Sequence, residues 1–511
     1  MMAQAWMEPS NKGGSLEGME RLWDAPSPRT PLAFLNFERQ VLKAAGQQAD
    51  AILGYHVAQA HQDPAFIEQA VEAARRRHGG RLRHKGLRTT SVRLPGGTLC
   101  VVQTPYLRPT PRRPGRKRTR RGPTGVGVYP VLEALGIGDR VSPATRSQLA
   151  LYTVQAGSYQ EAVVLLAEQG LQVDRSTLRR VAQSTAQADI ALRDAALEQA
   201  RRVPIAPHGP LAGLRVRVSV DGGRVRTRLR CPGRKTKKGR HRFQTPWREP
   251  RVLLIDVLDR AGKTDTLRLP LYDVLLDDAE ATVALVIGYL RLLGAAHAQV
   301  VEFIADGAEW IWDRSEKIRQ EAEIPAQRWV EVVDFYHASE HLHQTVELCR
   351  DRKAADRQQW YETLRHVLRT EPTGVDQVIQ RLQPAARGRR ARQMKDAIAY
   401  FQRHTQRMAY VALDRRHLPV GSGPVESAVR RVINLRFKAS STFWETDTVA
   451  DLMHLRAAFK SGRWYELTER VLTQTFPVPS FARLTCDQIH TVLPLESHEN
   501  SPPKQPLRRR A

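Results

Sequence analysis

Hydrophobic spacing in the first part of the chain predicts helices interrupted by one hairpin. Residues 64–78 place apolar side chains on one helical face. Residues 90–94 and 98–103 instead alternate apolar and polar positions around a Pro-Gly-Gly turn, which predicts a β-hairpin. Residues 142–190 return to helical spacing. We therefore expect a mainly α-helical N-terminal region.

The pattern changes at about residue 214 and predicts a mixed β-sheet covered by helices. Three strands come first and strands then alternate with helices, which gives the order β-β-β-α-β-α-β-α. The predicted strands are 214–220, 225–230, 252–258, 300–305 and 329–333, and the helices between them are 279–293 and 308–321. Residues 338–418 are helical in pattern, and a further helix begins near Pro424 and runs to about Lys438.

These patterns divide the 511 residues into several predicted segments. In chain order they are a tail, helices and hairpin (1–106), a basic linker (107–124), a helix-turn-helix-like DNA-binding domain (125–205), the first part of an α/β core (210–337), a helical insertion (338–420), the last part of the core (421–475) and a C-terminal tail (476–511). Hydrophobic residues make up 41% of the chain, enough to bury cores in several of these segments.

The charge points to a polyanionic partner. Lys and Arg number 80 against 53 Asp and Glu, a net charge of +27, which favours DNA over a merely solvated basic face. The four cysteines are widely separated and form no C-x-x-C pair, which is typical of reduced thiols. We find neither a long apolar run nor a signal peptide, so we expect no membrane partner and a cytoplasmic protein.

The most basic stretch is residues 108–121, which contains eight basic residues, no acid and several prolines that prevent a helix. We expect it to be an arm that lies along DNA phosphates, although a solvated linker has the same composition. The residues expected to contact DNA are Arg116, Lys117, Arg118, Arg120 and Arg121.

A second DNA-binding candidate is the pair of helices on either side of Gly170. Ser158 and Glu161 form a capping box that begins the first helix, and the second helix begins near Asp174. Helix, glycine turn and helix are the pattern of a helix-turn-helix, whose second helix enters the major groove. Its groove-facing candidates are Thr177, Arg179 and Arg180, and an ordinary helical hairpin is the alternative.

Three acids occupy positions suited to metal chemistry. Asp221 ends the first predicted strand, Asp306 follows the fourth, and Glu426 lies in the first turn of a late helix. Phosphoryl transfer on DNA is well served by two Mg²⁺ ions held by a few carboxylates. Each acid also has a structural explanation, because Asp is common in turns and helix caps and Glu favours a helix N-terminus. Only their joint placement in a basic chain favours the metal site.

Two further patterns surround these acids. Glu426, Arg430 and Asn434 recur every four residues, so they form one polar stripe that suits a helix facing DNA or a solvated surface. Asp334 and His337 lie at a strand-to-helix junction, where His337 would support the metal site or contact the scissile phosphate. His337 and His341 have the spacing of a zinc pair, but Ala338 stands where a zincin needs Glu.

Together, four stretches of the chain resemble the bacterial insertion-sequence transposases of the Kra type, distant relatives of the Mutator-like transposases. The stretches are Val218–Gly223, Phe303–Trp312, Val333–Leu342 and Gly421–Arg430. The resemblance extends from about residue 125 to about residue 470. Many relatives carry a cysteine-rich motif ahead of the helix-turn-helix, where this chain has its basic stretch and no paired cysteines, so a zinc-bound DNA module is not expected here.

The resemblance implies an α/β RNase H-like catalytic core, a mixed sheet flanked by helices, with a helical insertion domain and an N-terminal α-helical DNA-binding region. It implies a DDE metal triad of Asp221, Asp306 and Glu426, with His337 added as a catalytic residue. The implied reaction is hydrolysis at transposon ends and then attack of the freed 3′-OH on target DNA, with two Mg²⁺ ions or Mn²⁺ as substitute. We expect a homo-oligomer on DNA, because two ends must be processed.

Two other functions fit parts of the same pattern. A structure-specific nuclease or resolvase on the same fold would cut DNA without joining it. A non-catalytic helix-turn-helix regulator would bind DNA without metal, but it would not need the long stretch after Gly213 or acids at its strand ends.

Overall fold

The computed structural model separates at Ala188 into a first unit of helices with a hairpin and a second unit built on a five-stranded sheet. The structure describes residues 19–78, 82–109, 127–439, 442–485 and 488. The predicted DNA contacts at 116–121 lie outside these residues. Of the residues described, no helix combines the length and the apolar character that crossing a membrane requires.

Prolines begin several helices of the first unit, because the first helical position does not need a backbone N–H donor. Its helices are α1 (Pro31–Ala60), α2 (Pro64–Arg77), α3 (Pro130–Ala134), α4 (Pro143–Gln155), α5 (Tyr159–Glu168) and the start of α6 (Arg175–Arg202). The predicted hairpin is confirmed as β1 (Leu82–Arg93) and β2 (Leu99–Pro109), with longer strands than predicted. Asp50, buried in α1, accepts hydrogen bonds from Gly96 N (2.9 Å) and Thr98 N (2.8 Å) in the turn between β1 and β2.

The helix-turn-helix pattern is present as two helices joined by a glycine turn. Ser158 accepts a hydrogen bond from Glu161 N (3.1 Å), while the Glu161 carboxylate accepts one from Gly157 N (2.8 Å). Gly170 has φ +83°, a left-handed conformation that glycine adopts without strain. A small apolar core joins α4, α5 and the start of α6 through Leu149, Leu166, Leu178 and their neighbours.

The second unit contains nine strands among its described residues. They are β3 (Arg215–Gly222), β4 (Val225–Arg226), β5 (Leu229–Arg230), β6 (Phe243–Gln244), β7 (Trp247–Arg248), β8 (Arg251–Leu258), β9 (Leu271–Leu275), β10 (Val300–Ala305) and β11 (Trp329–Val333). The main sheet has the order β11-β10-β3-β8-β9. Strand β10 is parallel to both of its neighbours, β11 and β3, whereas β8 is antiparallel to both β3 and β9. The predicted mixed sheet is therefore confirmed.

One strand of the predicted sheet was wrong. Residues 225–230 do not join the sheet but form short antiparallel pairs with residues 243–248. The third antiparallel strand of the sheet, after β3 and β8, is β9 instead. The physical reason is that 225–230 carries an arginine at every second position, so that face cannot be buried inside a sheet. Strand β9 escaped detection because it is short and has the buried Asp273 at its centre.

Helices pack against the main sheet and continue the chain beyond it. They include α7 (Ala279–Leu292), α8 (Glu309–Glu321), α9 (Phe335–Val346), α10 (Ala354–Thr370), α11 (Gly374–Leu382), α12 (Ala391–Arg403), α13 (Tyr410–Arg415), α14 (Gly423–Val429), α15 (Leu435–Phe437), α16 (Thr446–Lys460) and α17 (Trp464–Thr473). A π-helical turn, Arg430–Asn434, joins α14 to α15. The helical content predicted for 338–418 and the helix predicted from Pro424 are both confirmed, and the central strand β10 is buried along its whole length.

Candidate metal centre

Two of the predicted acids lie side by side at one edge of the sheet. Strands β3 and β10 are parallel and in register, with Val220 opposite Ala305. Asp221 and Asp306 are the next residue of each strand, and neighbouring strands are about 4.8 Å apart. Both residues are partly exposed, and each carboxylate accepts a local backbone hydrogen bond, from Gly222 N (2.7 Å) and Ala308 N (3.1 Å). The fold thus pairs two acids that are 85 positions apart in the sequence, by subtraction of their numbers.

A third acid extends the same edge onto the next strand. Ala305 is opposite Val333 in β11, and Asp334 N donates to Ala305 O (2.9 Å), so Asp334 is level with Asp306. Asp334 is fully buried and caps α9 by accepting a hydrogen bond from His337 N (2.8 Å). The cap fixes His337 in the first turn of that helix, where its Nδ1 lies 3.5 Å from Asp334 Oδ1.

The segment that leads into the late helix brings Glu426 to this edge. Ser422 N donates a hydrogen bond to Asp334 Oδ2, and Ser422 Oγ lies 3.4 Å from Glu426 Oε1. Helix α14, which carries Glu426, contacts both β3 and β8. Ligand atoms of Asp334, His337 and Glu426 all lie within 4.8 Å of one another. Glu426 itself is exposed, so its carboxylate is open to a ligand.

The charges of these residues are strongly coupled. Burial, as the largest cause, and the negative charges of Asp306 and Glu426 together raise the pKa of Asp221 to about 6, against a hydrogen bond from Gly222 and the positive charge of His337. The Asp334 carboxylate raises the pKa of His337 to about 9, and Asp306 and Glu426 act in the same direction. Burial and neighbouring acids both disfavour the ionised form of Asp221, and a bound cation would favour it.

The structure therefore places Asp221 and Asp306 at neighbouring strand ends, within electrostatic reach of Glu426 and His337. Carboxylate oxygens are hard ligands of the kind that Mg²⁺ and Mn²⁺ prefer, so the donor set fits these ions. His337 is protonated at neutral pH at this pKa and cannot donate a lone pair to a metal in that form. Its positive charge instead suits a negatively charged ligand such as a phosphate.

The alternative zinc pair is not supported. The ring of His341 lies against that of Tyr400, with centroids 3.9 Å apart, and its Nε2 is 3.3 Å from Ala397 O. Burial lowers the pKa of His341. Of the residues that the structure describes, Asp334 and Glu426 are those whose ligand atoms lie with those of His337 in one set within 4.8 Å, and His341, Asp221 and Asp306 do not belong to that set.

The predicted DNA contacts of the helical region are partly engaged in other interactions. Thr177 Oγ1 donates to Asp174 Oδ2 (2.9 Å), Arg179 Nε to Gln183 Oε1 (3.1 Å), and Arg180 forms a 2.8 Å ion pair with Asp139. These contacts fix the start of α6, and the Arg180 pair must open or be shared if that guanidinium binds a phosphate.

The two predicted contacts after Glu426 differ from each other. Arg430 is exposed, while Asn434 is half-buried at the end of the π-helical turn. The Asn434 Oδ1 atom is buried and has no hydrogen-bond partner within the described ranges. A π-helical turn inside an α-helix is often found at functional sites. Arg430 therefore remains open to solution, whereas Asn434 is largely withdrawn from it.

Sequence reasoning missed the support that surrounds the acids. The hydrogen bond from Ser422 N to Asp334 joins residues 88 positions apart in the sequence, and no local pattern predicts it. Gly307 lies beneath the ring of Tyr400, so a side chain at position 307 would collide with that ring. The Asp-Gly pair at 306–307 was the available signal, and a turn explained it equally well.

In comparisons with known proteins, no family model matches the chain, and no curated protein is significantly similar to it.

Proposed function

We propose that this protein is a Mg²⁺-dependent DNA transposase that binds the ends of an insertion sequence, cleaves there and joins the freed 3′-OH to target DNA. The observation that carries the proposal is the placement of Asp221 and Asp306 on adjacent parallel strands, with Glu426 close enough to raise the pKa of Asp221. The order of strands and helices around them supports an RNase H-like core. The net charge of +27 supports a DNA partner.

The three carboxylates are suited to hold two divalent cations, Mg²⁺ or in its place Mn²⁺. Such a pair supplies activation of the attacking oxygen and stabilisation of the leaving oxygen during in-line displacement at phosphorus. Asp221, Asp306 and Glu426 would hold the ions and orient the scissile phosphate between them. His337, protonated at neutral pH, would donate a hydrogen bond to a non-bridging phosphate oxygen. No nucleophilic side chain is needed.

The first unit would contribute recognition of the DNA ends through α5 and α6, and the basic stretch 108–121 would contact phosphates. Transposition joins two ends, so a homo-oligomer on DNA suits the reaction best.

The test is cleavage and strand transfer on DNA taken from both flanks of the gene, with Mg²⁺ present. Asp221→Asn, Asp306→Asn and Glu426→Gln should each reduce the rate by about 10³-fold or more, since metal stabilisation of the transition state contributes several kcal/mol. Asp376→Asn is the matched control, because Asp376 is exposed and in no ion pair within the described ranges. Full activity of the three variants would refute the proposal.

A second assay separates joining from cutting. Pre-cleaved ends with a free 3′-OH are mixed with target DNA, and joined products are scored on a gel. A transposase produces them, whereas a nuclease or resolvase on the same fold cuts branched DNA and yields none. Metal-independent binding without either product would instead identify a regulator.

A further inference from the structure

A strongly basic ribbon leaves the sheet beside the candidate metal centre. It comprises residues 224–248, which connect the end of β3 to the start of β8, and we call it the basic ribbon. Between Arg224 and Arg248 the sequence has eleven Lys and Arg residues and no Asp or Glu. Two short antiparallel pairs form it, with Arg226 opposite Trp247 and Arg230 opposite Phe243.

Arginines recur at every second position in and beside the short strands β4 and β5. Arg224, Arg226, Arg228 and Arg230 form this row along the sequence. All four are exposed, while Val225 and Thr227 between them are fully buried. None of the four forms an ion pair with an acid within the described ranges, although Arg230 donates to His241 Nε2 (2.6 Å). The row therefore carries uncompensated positive charge.

Exposed aromatic rings stand among these arginines. The Arg226 guanidinium lies 4.9 Å from the centre of the Trp247 ring, and that of Arg228 lies 4.2 Å from the centre of Phe243. Trp247 is 51% exposed and Phe243 41% exposed, unusually open for large apolar side chains. Cationic groups with accessible ring faces suit a nucleic acid, whose phosphates pair with the first and whose bases stack on the second.

The root of the ribbon is fixed to the segment that follows the Glu426 helix. Arg228 N donates to Trp444 O (2.7 Å), and Trp444 N donates to Arg226 O (3.1 Å). Gly223 packs so closely on Ile433 that a Cβ there would lie 2.8 Å from the Ile433 side chain. Arg226 is five residues after Asp221, at most about 18 Å along an extended chain. The arginine row is thus held within reach of DNA bound at the candidate centre.

We propose that the basic ribbon is a DNA-binding element that holds the phosphate backbone next to the scissile bond, with Phe243 and Trp247 available to stack on unpaired bases. This inference rests on the proposed function for its choice of DNA as the ligand. It differs from the helix-turn-helix in kind, because backbone contacts position DNA without reading its sequence. A solvated loop explains the charge alone but not a buried root, a row of exposed arginines that form no ion pair within the described ranges, and exposed rings together.

The test measures DNA affinity without metal, so that it does not depend on catalysis. The full-length triple variant Arg226→Gln, Arg228→Gln, Arg230→Gln is titrated with labelled duplex DNA in EDTA at several NaCl concentrations, with fluorescence anisotropy as readout. Each lost phosphate contact lowers the slope of log K against log[salt] by about 0.9, so the slope should fall by up to about 2.7. We expect at least a tenfold weaker affinity at low salt.

The matched control removes the same charge elsewhere. Arg387, Arg389 and Arg392 are exposed and form no ion pair with an acid within the described ranges, so their triple change to Gln also lowers the net charge by three. Its affinity should change less than threefold. Equal losses in both triples would overturn the inference, because they would report net charge and not the ribbon.

A second ribbon variant guards against misfolding of the first. Arg234→Gln, Lys235→Gln and Lys237→Gln alter only the exposed tip, and they should also weaken binding while the thermal midpoint stays unchanged. Unchanged affinity in both ribbon variants would overturn the inference even if the enzyme proves to cleave and join DNA. Conversely, weaker binding with no cleavage by the wild-type protein would remove the proposed function and leave the ribbon as a DNA-binding element.

Discussion

The second unit contains two clusters that combine aspartates with a histidine, and they differ in how charge is balanced. In the first, which we call the buried cluster, Asp189 accepts from Arg470 Nε (2.6 Å) and lies 2.8 Å from His454 Nε2, while Asp273 accepts from Arg193 Nη1 (2.9 Å). All five side chains are buried. Two acids thus face two guanidinium groups and one imidazole, so the buried cluster is fully compensated.

The candidate metal centre is balanced differently. Asp221, Asp306, Asp334 and Glu426 lie around one histidine. Hydrogen bonds from His337 and Ser422 outweigh burial and lower the pKa of Asp334, so Asp334 resembles the aspartates of the buried cluster, whereas Asp221 differs from them. The pKa of Asp221 is raised to about 6 by burial and by the other acids. The pKa of Asp273 is lowered, because the charge of Arg193 and the hydrogen bond of His454 outweigh the effect of its burial. Acids paired with basic side chains need no further partner, whereas acids without such partners favour the binding of a cation from outside the chain.

The largest expected effect is on the free energy of unfolding, which should respond differently to the loss of an aspartate from each cluster. Asp273→Asn removes the buried acid that pairs with Arg193 and leaves that guanidinium only its ion pair with the exposed Asp194 (2.7 Å), so the free energy of unfolding should fall by about 3–5 kcal/mol. Asp221→Asn should instead stabilise the metal-free protein at neutral pH, because it removes a charge that burial and the neighbouring acids disfavour. Urea unfolding in EDTA measures both.

The reverse order of these two variants would contradict the comparison. Tyr289→Phe is a milder check of the buried cluster, because its hydroxyl donates to Asp273 Oδ2 (2.7 Å). That change should cost about 1.5–3 kcal/mol, the usual contribution of a hydrogen bond to a charged group.

A second expected effect concerns pH. The folded protein binds the Asp221 proton more tightly than the unfolded chain, so that contribution is complete below the ordinary pKa of 3.8 and is lost as the pH rises through about 6. Relative to Asp221→Asn, the metal-free wild type should lose up to about 3 kcal/mol across this window. Asp273 has the opposite sign: its contribution is present above its ordinary pKa and is lost as the pH falls.

The measurement is the free energy of unfolding of the wild type and Asp221→Asn in EDTA from pH 4 to pH 7. Asp376→Asn is the control, since it removes an exposed carboxylate on α11. Parallel curves for the wild type and Asp221→Asn would show that Asp221 is not surrounded by uncompensated acids.

Most of the element order could be predicted from the sequence, because hydrophobic periodicity reports which face of each element is buried. It also marked Asp221, which ends an alternating strand, and Asp306, which follows a mostly apolar one, and each precedes glycine. The register that sets them side by side could not be predicted, because it arises from pairing between β3 and β10 across the intervening strands and helix.

The errors have the same origin in long-range contacts. In the sequence, Asp273 interrupts the apolar residues of β9 and argues against a strand. In the structure, its charge is balanced by Arg193, which lies on a helix 80 positions earlier in the chain. Asp334 was noticed only for its spacing to His337, whereas its hydrogen bond to Ser422 connects the sheet edge to the Glu426 helix. Local patterns thus identified candidate acids but not the partners that decide whether an acid is compensated.

The smallest expected effect is the response to metal, which sharpens the comparison most directly. A ligand that binds only the folded state adds RT ln(1 + [L]/Kd) to the free energy of unfolding, about 1.4 kcal/mol at ten times Kd. Mg²⁺ or Mn²⁺ should therefore stabilise the wild type and Asp376→Asn by this amount, as measured by urea unfolding with and without the ion. Asp221→Asn and Glu426→Gln should gain little, because each removes a carboxylate ligand. Asp273→Asn, although much less stable, should keep the full gain, because the buried cluster takes no part in binding the ion. Equal gains in Asp221→Asn and the wild type would mean that the ion binds elsewhere and that the crowded acids hold no metal.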